Sequence, residues 1–406
     1  MTRRSTFESD NHRPLNRLLK KDRAFARYCE DQGDNLRAAE IENVTKALVC
    51  GTCVLGSKAM TCPNGCAVND RIIGFSCNGK FCPRCGVKRT NQWMETQNAI
   101  LPDCDYQHAV FTLPEEICQL FLPNENRWLL NCLSRCAAEV LLSLAKKRGL
   151  TVGIFTAIHT FGRSLNWHNH IHASVTAGGL NAHGKWVKVT FKLMQPWKKA
   201  IAKLLRKYHR ELVIPDALQG LFGSDELLER YLSRQLPPST YWHTYIAHKT
   251  KGSRRTAGYL GRYVRRPPIA ASRLRHYNGD GNLIFNYLDH RSAQRVREVV
   301  TPYEMVCRML RHIHEKHFRT IRYYGFLSNR IRGQKLPLVY SALDDHPQIP
   351  FHVTHASLAK AYLGSDPYHC SCCGARLRFK ALYPGFTVKK LMDHWKSFAQ
   401  DRQVVA

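Results

Sequence analysis

Apolar positions recur at three- and four-residue spacing through residues 14–48, with one internal glycine, and predict helix there. The pattern then fails. Residues 50–90 are rich in Cys, Gly and Asn, show little periodicity and cannot build much apolar core, so they are expected to fold around metal. Order returns at residue 104. CDYQHAVFTLP (104–114) predicts a strand ended by Pro114. Residues 115–149 predict helix, broken at Pro123 and stopped by Gly149 after a basic last turn. LTVGIFTAIHTFG (150–162) and NWHNHIHASVTAGGL (166–180) predict two strands joined by a short turn around GRSL. A basic helical region follows (191–213), then a less patterned insert (214–238). STYWHTYIAHK (239–249) predicts a further strand, and residues 253–266 a helix stopped by Pro267 and Pro268. RLRHYNGDGNLIFNYLDH (273–290) predicts a hairpin turning at NGDGN, and residues 302–318 an amphipathic helix. The tail, 334–406, holds a second cysteine cluster and a final helix.

The chain has 406 residues, enough for two to three domains with a real core. Its 44% hydrophobic, 10% aromatic and 23% charged residues are ordinary for a globular protein and argue against disorder, collagen or coiled coil. The charge is not ordinary. Sixty-one Lys+Arg against 31 Asp+Glu leave +30, which points to a polyanionic partner, nucleic acid first. No uninterrupted apolar stretch of about 18 residues suggests a membrane span. The start, MTRRSTFESDNHRP, lacks the apolar core of a secretory signal, so a cytoplasmic location is expected. Sixteen cysteines in such a chain suggest metal before disulfides.

Seven of those cysteines lie within Cys50–Cys85. Cys82-Pro-Arg-Cys85-Gly has the shape of a zinc knuckle, in which two thiolates hold one ion while backbone N–H groups bond to the sulfurs. Cys62 and Cys66 could supply the other pair of a tetrahedral site. Cys50, Cys53 and Cys77 then remain, to rearrange that ligand set or help build a second one. An all-thiolate site is closed, so the zinc is expected to be structural, presenting Lys80, Arg84, Lys88 and Arg89 to DNA. A solvated basic face is the plain alternative for those four residues. Near the other end, Cys370-Ser-Cys-Cys373-Gly has the same knuckle shape and is half of a possible second zinc site. Its partners would come from His352, His355, His369 or Cys372. Basic Arg376, Arg378 and Lys380 follow it.

WHNHIHASV carries His168, His170 and His172 at spacing two, so on a strand all three face one way. Neighbours at i and i+2 lie roughly 6.6 Å apart, close enough to converge on one ion, whereas His168 and His172 are about twice that apart. His170 and His172 are therefore the first pair. His159 on the preceding strand is the leading third ligand and His168 the fallback. Two or three protein ligands leave positions open for water or a substrate oxygen, as a catalytic ion requires. Tyr259 and Tyr263, four apart, share one face of a helix. Residues 251–275 around them hold Lys251 and seven arginines, Arg254, Arg255, Arg262, Arg265, Arg266, Arg273 and Arg275, with no carboxylate. Two phenols on a phosphate-binding helix can each attack a phosphodiester. Alone such a pair is commonly packing; beside the arginines and the histidine strand it reads as a pair of nucleophiles.

The ordered set CPRCG, HAVFTLP, NWHNHIHASVTAGGL, YLGRYVRRPPI and FRTIRYYGFL resembles the two-tyrosine rolling-circle insertion-sequence transposases. These are His-hydrophobe-His (HUH) endonucleases with an N-terminal zinc-binding region, and the resemblance covers about residues 50–330. His170-Ile171-His172 matches the His-hydrophobe-His motif, Tyr259 and Tyr263 the paired tyrosines, and Cys77-x4-Cys82-x2-Cys85 the end of the cysteine pattern. Cys62-x3-Cys66 is one residue wider than the family's spacing, and Cys53 is extra. The resemblance implies an α+β fold: a ferredoxin-like, RNA-recognition-type antiparallel sheet with helices, preceded by a small zinc-binding domain. The expected division is an N-terminal helical segment (1–49), a zinc-binding DNA-contact domain (50–95), the catalytic domain (104–333) and a C-terminal tail (334–406). It also implies Mg²⁺ or Mn²⁺ held by His170, His172 and a third ligand, with a tyrosine forming a 5′-phosphotyrosine link. The expected partner is DNA, preferentially single-stranded or hairpin element ends, in a bacterial cytoplasm at the nucleoid.

Rival readings are a rolling-circle replication initiator with the same chemistry and a non-catalytic zinc-finger regulator. The regulator leaves the histidine strand and the tyrosine pair idle. A carboxylate-based nuclease is disfavoured, because no acidic residue lies between Glu139 and Glu211.

Overall fold

The computed structural model describes residues 14–66, 70–264, 268–269, 271–274, 277, 281–288, 293–354, 356–358 and 366–394. The strands among them, in chain order, are β1 (Ser57–Thr61), β2 (Arg71–Gly74), β3 (Tyr106–Thr112), β4 (Gly153–Phe161), β5 (Trp167–Thr176) and β6 (Gly178–Leu180). They continue with β7 (Trp186–Lys188), β8 (Tyr245–Thr250), β9 (Leu283–Leu288), β10 (Arg295–Val300), β11 (Ile321–Gly325) and β12 (Arg378–Tyr383). The chain forms two compact units. One comprises Met1–Gln92, Arg265–Lys316 and His352–Ala406, the other Trp93–Val264 and His317–Phe351.

The second unit is α+β and is built on a five-stranded antiparallel sheet in the order β11-β4-β5-β3-β8. Without β11 the order, counted along the chain, is fourth-first-third-second, which is that of a split βαβ ferredoxin-like sheet. Helix Leu130–Lys146 joins β3 to β4, and helix Met194–Tyr208 lies between β5 and β8. The two-residue period of the strands assigns the faces. Ala109 and Phe111 of β3, Ile154 and Ile158 of β4, and Ile171, Ala173 and Val175 of β5 share one core cluster with Leu133, Ala137, Leu141, Trp197 and Ile201 of the two helices. Helix Asn124–Lys146 is apolar and long enough to cross a membrane by composition alone, but its Leu130, Leu133, Ala137 and Leu141 are buried in this core. The opposite face carries Tyr106, Phe155 and Ala157, packed with Trp93, Phe326, Leu336, Val339 and Tyr340. The alternating histidines of β5 fall on this second face.

The first unit packs helices Pro14–Lys20, Ala24–Gln32 and Ala38–Val49 with helix Pro302–Leu310. A buried polar knot ties them. Arg37 Nη2 lies 2.5 Å from Glu40 Oε1, Tyr28 donates to Glu40 at 3.0 Å, and Arg37 Nη1 donates to the Ile313 carbonyl at 2.7 Å. A buried arginine and glutamate persist because each finds a partner here. The knot ties Ile313, which follows helix Pro302–Leu310 and is expected from sequence with the catalytic domain, to the N-terminal helices. Burial, followed by the Glu40 charge, pushes the Tyr28 phenol well above its ordinary range. A small sheet in the order β12-β1-β2 completes this unit, with Ser57 opposite Tyr383 and Thr61 opposite Arg378. Arg378–Tyr383, within the expected C-terminal tail, is thus a strand of this sheet.

Three local expectations change. The hairpin pairs β9 with β10, so it spans 283–300 rather than 273–290. Arg273 and Leu274, which open the expected first arm, lie instead in a short helical turn, Ala271–Leu274, whose Leu274 is buried; Arg275 and His276 lie outside the described residues. The alternation that forms the ladder lies in LIFNYL and RVREVV. The helix expected over 302–318 ends at Leu310: Thr301 caps it and Pro302 starts it, but the chain turns at Arg311 and His312. Within the strand expected over 239–249, only Tyr245 onward joins the sheet.

Candidate active site and metal centres

β4 and β5 pair so that His159 stands opposite His170, and Ala157 opposite His172. A small residue across from His172 leaves room for the imidazoles to turn towards one another. The Nε2 atoms of His170 and His172 lie 3.1 Å apart. Ligand atoms of His159, His170 and His172 all fall within 4.8 Å of one another. Both strand histidines use their other nitrogen on the protein. His170 Nδ1 donates to the His168 carbonyl at 2.9 Å, and His172 Nδ1 is 3.1 Å from Nε2 of His108. An Nδ1–H given to a carbonyl leaves the His170 Nε2 lone pair free and aimed.

The donor set fits a divalent ion. Two cis nitrogens at about 2.1 Å from an octahedral ion sit about 3.0 Å apart, close to the separation observed. Burial first, and then the neighbouring histidines, hold His170 and His172 well below the usual histidine range. The rings are therefore neutral, as ligation needs. His168, whose pKa burial also lowers, stacks near His170 with ring centroids 5.2 Å apart but stays outside the convergent group.

Helix Gly252–Val264 begins directly after β8, and its start explains the local sequence. Gly252 has φ +75°, and a Cβ there would sit 2.7 Å from Asp103 Oδ1. That carboxylate accepts from the Ser253 backbone N–H at 3.1 Å, satisfying a first-turn donor. The helix packs on β3 and β4 and brings Tyr259 to the histidine face. The half-buried Tyr259 ring meets His108 edge-on, with centroids 5.1 Å apart at 71°. Tyr263 is one helical turn further on; its side chain lies outside the described residues, as do the side chain of Arg262 and all of Arg265 and Arg266. Arg254 and Arg255 are exposed at the start of the helix.

His108 is the site residue that sequence reasoning missed. It is 2% exposed, stacks on His172 with centroids 5.2 Å apart and touches Tyr259, so it links the ligand strand to the tyrosine helix. The available signal was one imidazole inside the apolar strand YQHAVFT, on the same face as Tyr106.

Eight of the sixteen cysteines form two groups of four, and none is in a disulfide. Cys50, Cys77, Cys82 and Cys85 are buried together, with Cys50–Cys85 and Cys77–Cys85 Sγ separations of 3.6 Å. Tetrahedral zinc at about 2.3 Å from each sulfur sets neighbouring sulfurs about 3.8 Å apart. Gly79 N–H donates to Cys77 Sγ at 3.3 Å, and Cys77 N–H to Cys50 Sγ at 3.4 Å, the backbone support expected of a knuckle. Hydrogen bonding among the crowded thiols lowers the pKa of Cys85 and Cys50 and raises that of Cys77 and Cys82. Four such groups cannot all ionise without a cation.

The second group is Cys62, Cys66, Cys370 and Cys373. This corrects the expected partnership. Cys62 and Cys66 join the C-terminal knuckle, because β1 leads into them and β12 follows Cys373, while Cys50 and Cys77 complete the Cys82–Cys85 site. Cys53 and Cys372 are exposed and belong to neither group. His352 and His369 also stand outside, and His355 is not among the described residues. Lys80 and Arg84 are exposed beside the first knuckle, and Lys88 and Arg89 partly so.

A family model described as "Transposase zinc-binding domain", of the IS91 type, matches residues 21–113. A second, described as "Putative transposase", matches residues 153–335. The transposase for insertion sequence element IS801 of Pseudomonas savastanoi pv. phaseolicola is 43% identical over 401 residues, covering 97% of this chain and 95% of that protein. "Putative transposase y4qJ" of Sinorhizobium fredii is 33% identical over 328 residues, covering 77% of this chain and 81% of that protein. No solved structure matches the chain. The zinc-binding match and the thiol clusters support structural zinc. With identity running through nearly its whole length to an insertion-sequence transposase, the chain belongs to the IS91-type transposase family.

Proposed function

We propose that this transposase nicks and rejoins single-stranded DNA at the ends of its element through 5′-phosphotyrosine links, driving rolling-circle transposition. The observation that carries the reading is the convergence of His170 and His172, Nε2 to Nε2 3.1 Å, on the sheet face against which the Tyr259 helix packs. His159, His170 and His172 would hold Mg²⁺ or Mn²⁺, which supplies Lewis acidity and a template for the scissile phosphate. The Tyr259 or Tyr263 oxygen attacks phosphorus. A Tyr Oη–P bond forms, the P–O3′ bond breaks, and the departing 3′ oxygen takes up a proton as a free hydroxyl. That hydroxyl can prime synthesis, and the second tyrosine serves a second exchange while the first remains joined to DNA. His108 acts as a positioning residue, holding the His172 ring and the Tyr259 ring.

Arg254 and Arg255, with Arg262, Arg265 and Arg266, would take the DNA backbone near the tyrosines, and Arg84, Lys88 and Arg89 would do so beside the first zinc site. Cys50, Cys77, Cys82 and Cys85 would hold that zinc. The proposed setting is the bacterial cytoplasm, at the nucleoid. Labelled single-stranded DNA from an element end, incubated with the full chain and Mn²⁺, is expected to give an adduct that survives SDS. Cleavage without any adduct would overturn the tyrosine mechanism. Stronger binding to blunt duplex of the same sequence would overturn the single-strand preference.

A further inference from the structure

We propose that Cys62, Cys66, Cys370 and Cys373 form a second structural zinc site, which staples the C-terminal segment into the N-terminal zinc-binding unit. The matched zinc-binding family model ends at residue 113, so two of the four ligands lie far outside it. The four Sγ atoms fall within 4.8 Å of one another, and Cys62 and Cys373 are 3.5 Å apart. That is too long for a disulfide, which needs about 2.05 Å, and close to the sulfur separation around tetrahedral zinc.

The backbone is shaped for the task. Gly374 adopts φ +71° and donates to the Cys370 carbonyl at 3.0 Å, while Cys370 N–H donates to Ala375 at 2.8 Å, closing the turn on which Cys373 sits. Asn64 Nδ2 reaches Cys373 Sγ at 3.5 Å from the opposite loop, as sulfur-directed donors do around a thiolate site. The two half-sites are carried to one place by the β1–β12 ladder, which sets Thr61, next to Cys62, against Arg378.

Apolar packing alone is thin here. Among the described residues, Met60, Cys370 and Leu377 are the buried members of this cluster, supported by Ile73, Tyr368 and the ligand cysteines. A core that small needs a staple, and four thiolates around one ion provide it. The flanking Lys58–Tyr368 and Lys380–Asp70 contacts join the same two segments but are surface interactions of little worth.

The proposal does not depend on the DNA chemistry, so its test can fail while the transposase reading stands. Elemental analysis of the full wild-type chain is expected to give two zinc ions per chain; one ion per chain, or iron in the second place, overturns it. C370S/C373S and C62S/C66S are each expected to hold one zinc, and the variant with all four changes also one, because both pairs serve a single ion. Zinc lost separately by the two pairs, down to none in the fourfold variant, overturns the shared site. Cys372→Ser is expected to keep two ions. Alkylation provides a readout that needs no variant: Cys370 and Cys373 of the wild type should resist iodoacetamide until chelator is added. Equal labelling before and after chelation overturns the proposal.

Discussion

The histidine centre and the cysteine groups solve opposite problems with the same physics of convergent ligands. His159, His170 and His172 come from two adjacent strands of one hairpin. Their convergence needs only strand pairing, and their sheet is stabilised by a large core that exists without any ion. The Cys62–Cys373 group gathers ligands up to 311 residues apart around little apolar surface among the described residues, and the other group joins Cys50, Cys77 and Cys82 to Cys85 in the first turn of helix Pro83–Ile100. A metal on a preformed scaffold is free to keep open positions and do chemistry. A metal that replaces a missing core must close its shell with protein ligands. Losing the first should cost reaction; losing the second should cost structure.

The largest expected effect tests the chemical side of that contrast. Y259F/Y263F keeps both rings and removes both phenol oxygens, so covalent adducts should vanish while single-stranded DNA binding, measured by anisotropy, stays within about threefold. An adduct of undiminished yield would remove both tyrosines from the nucleophilic role. Next, His170→Ala and His172→Ala should each slow cleavage on the order of 10³-fold, the loss of several kcal/mol of transition-state stabilisation. Their melting temperatures should stay near wild type, and EDTA should silence the wild-type enzyme. His159→Ala should follow them, and normal cleavage by it would eliminate that residue as third ligand.

On the structural side, Cys82→Ser should leave an incomplete zinc shell. Limited proteolysis is then expected to open the segment around 50–92 while sparing 93–264; equal resistance of both would dissolve the contrast. A smaller effect separates positioning from packing. His108→Ala should raise the Mn²⁺ concentration needed for half-maximal cleavage about 10- to 100-fold, as loss of a ligand's orienting partner does. His108→Gln, which can place an acceptor near the lost Nε2, should recover part of it. A fall in rate with unchanged metal dependence would make His108 a packing residue only. The smallest effect belongs to the surface. Arg254→Ala and Arg255→Ala should each reduce the slope of log affinity against log salt by about 0.7 for a single strand, one phosphate apiece.

What could be read in advance follows from how far apart the interacting residues are. The spacing of His168, His170 and His172 fixes one face by strand period, and the Tyr259 helix announces itself by the stop at Pro267 and Pro268. His108 escaped because its role rests on a neighbouring strand and a helix more than 140 residues later, which no local pattern encodes. The hairpin was misplaced because NGDGN is a strong turn signal, while the ladder formed where both arms alternate, in LIFNYL and RVREVV.

By itself, then, the order of residues determined a basic, cysteine-rich chain of helices and strands with a His-hydrophobe-His strand, a two-tyrosine helix and two cysteine knuckles, since each motif is written within a dozen neighbouring positions. Only the tertiary structure decided which knuckle completes which site. A thiolate pair of either spacing satisfies half a tetrahedron equally well, so the choice passes to whatever brings backbones together. Here that is the β1–β12 ladder, which delivers Cys370 and Cys373 to Cys62 and Cys66 and leaves Cys50 and Cys77 to Cys82 and Cys85.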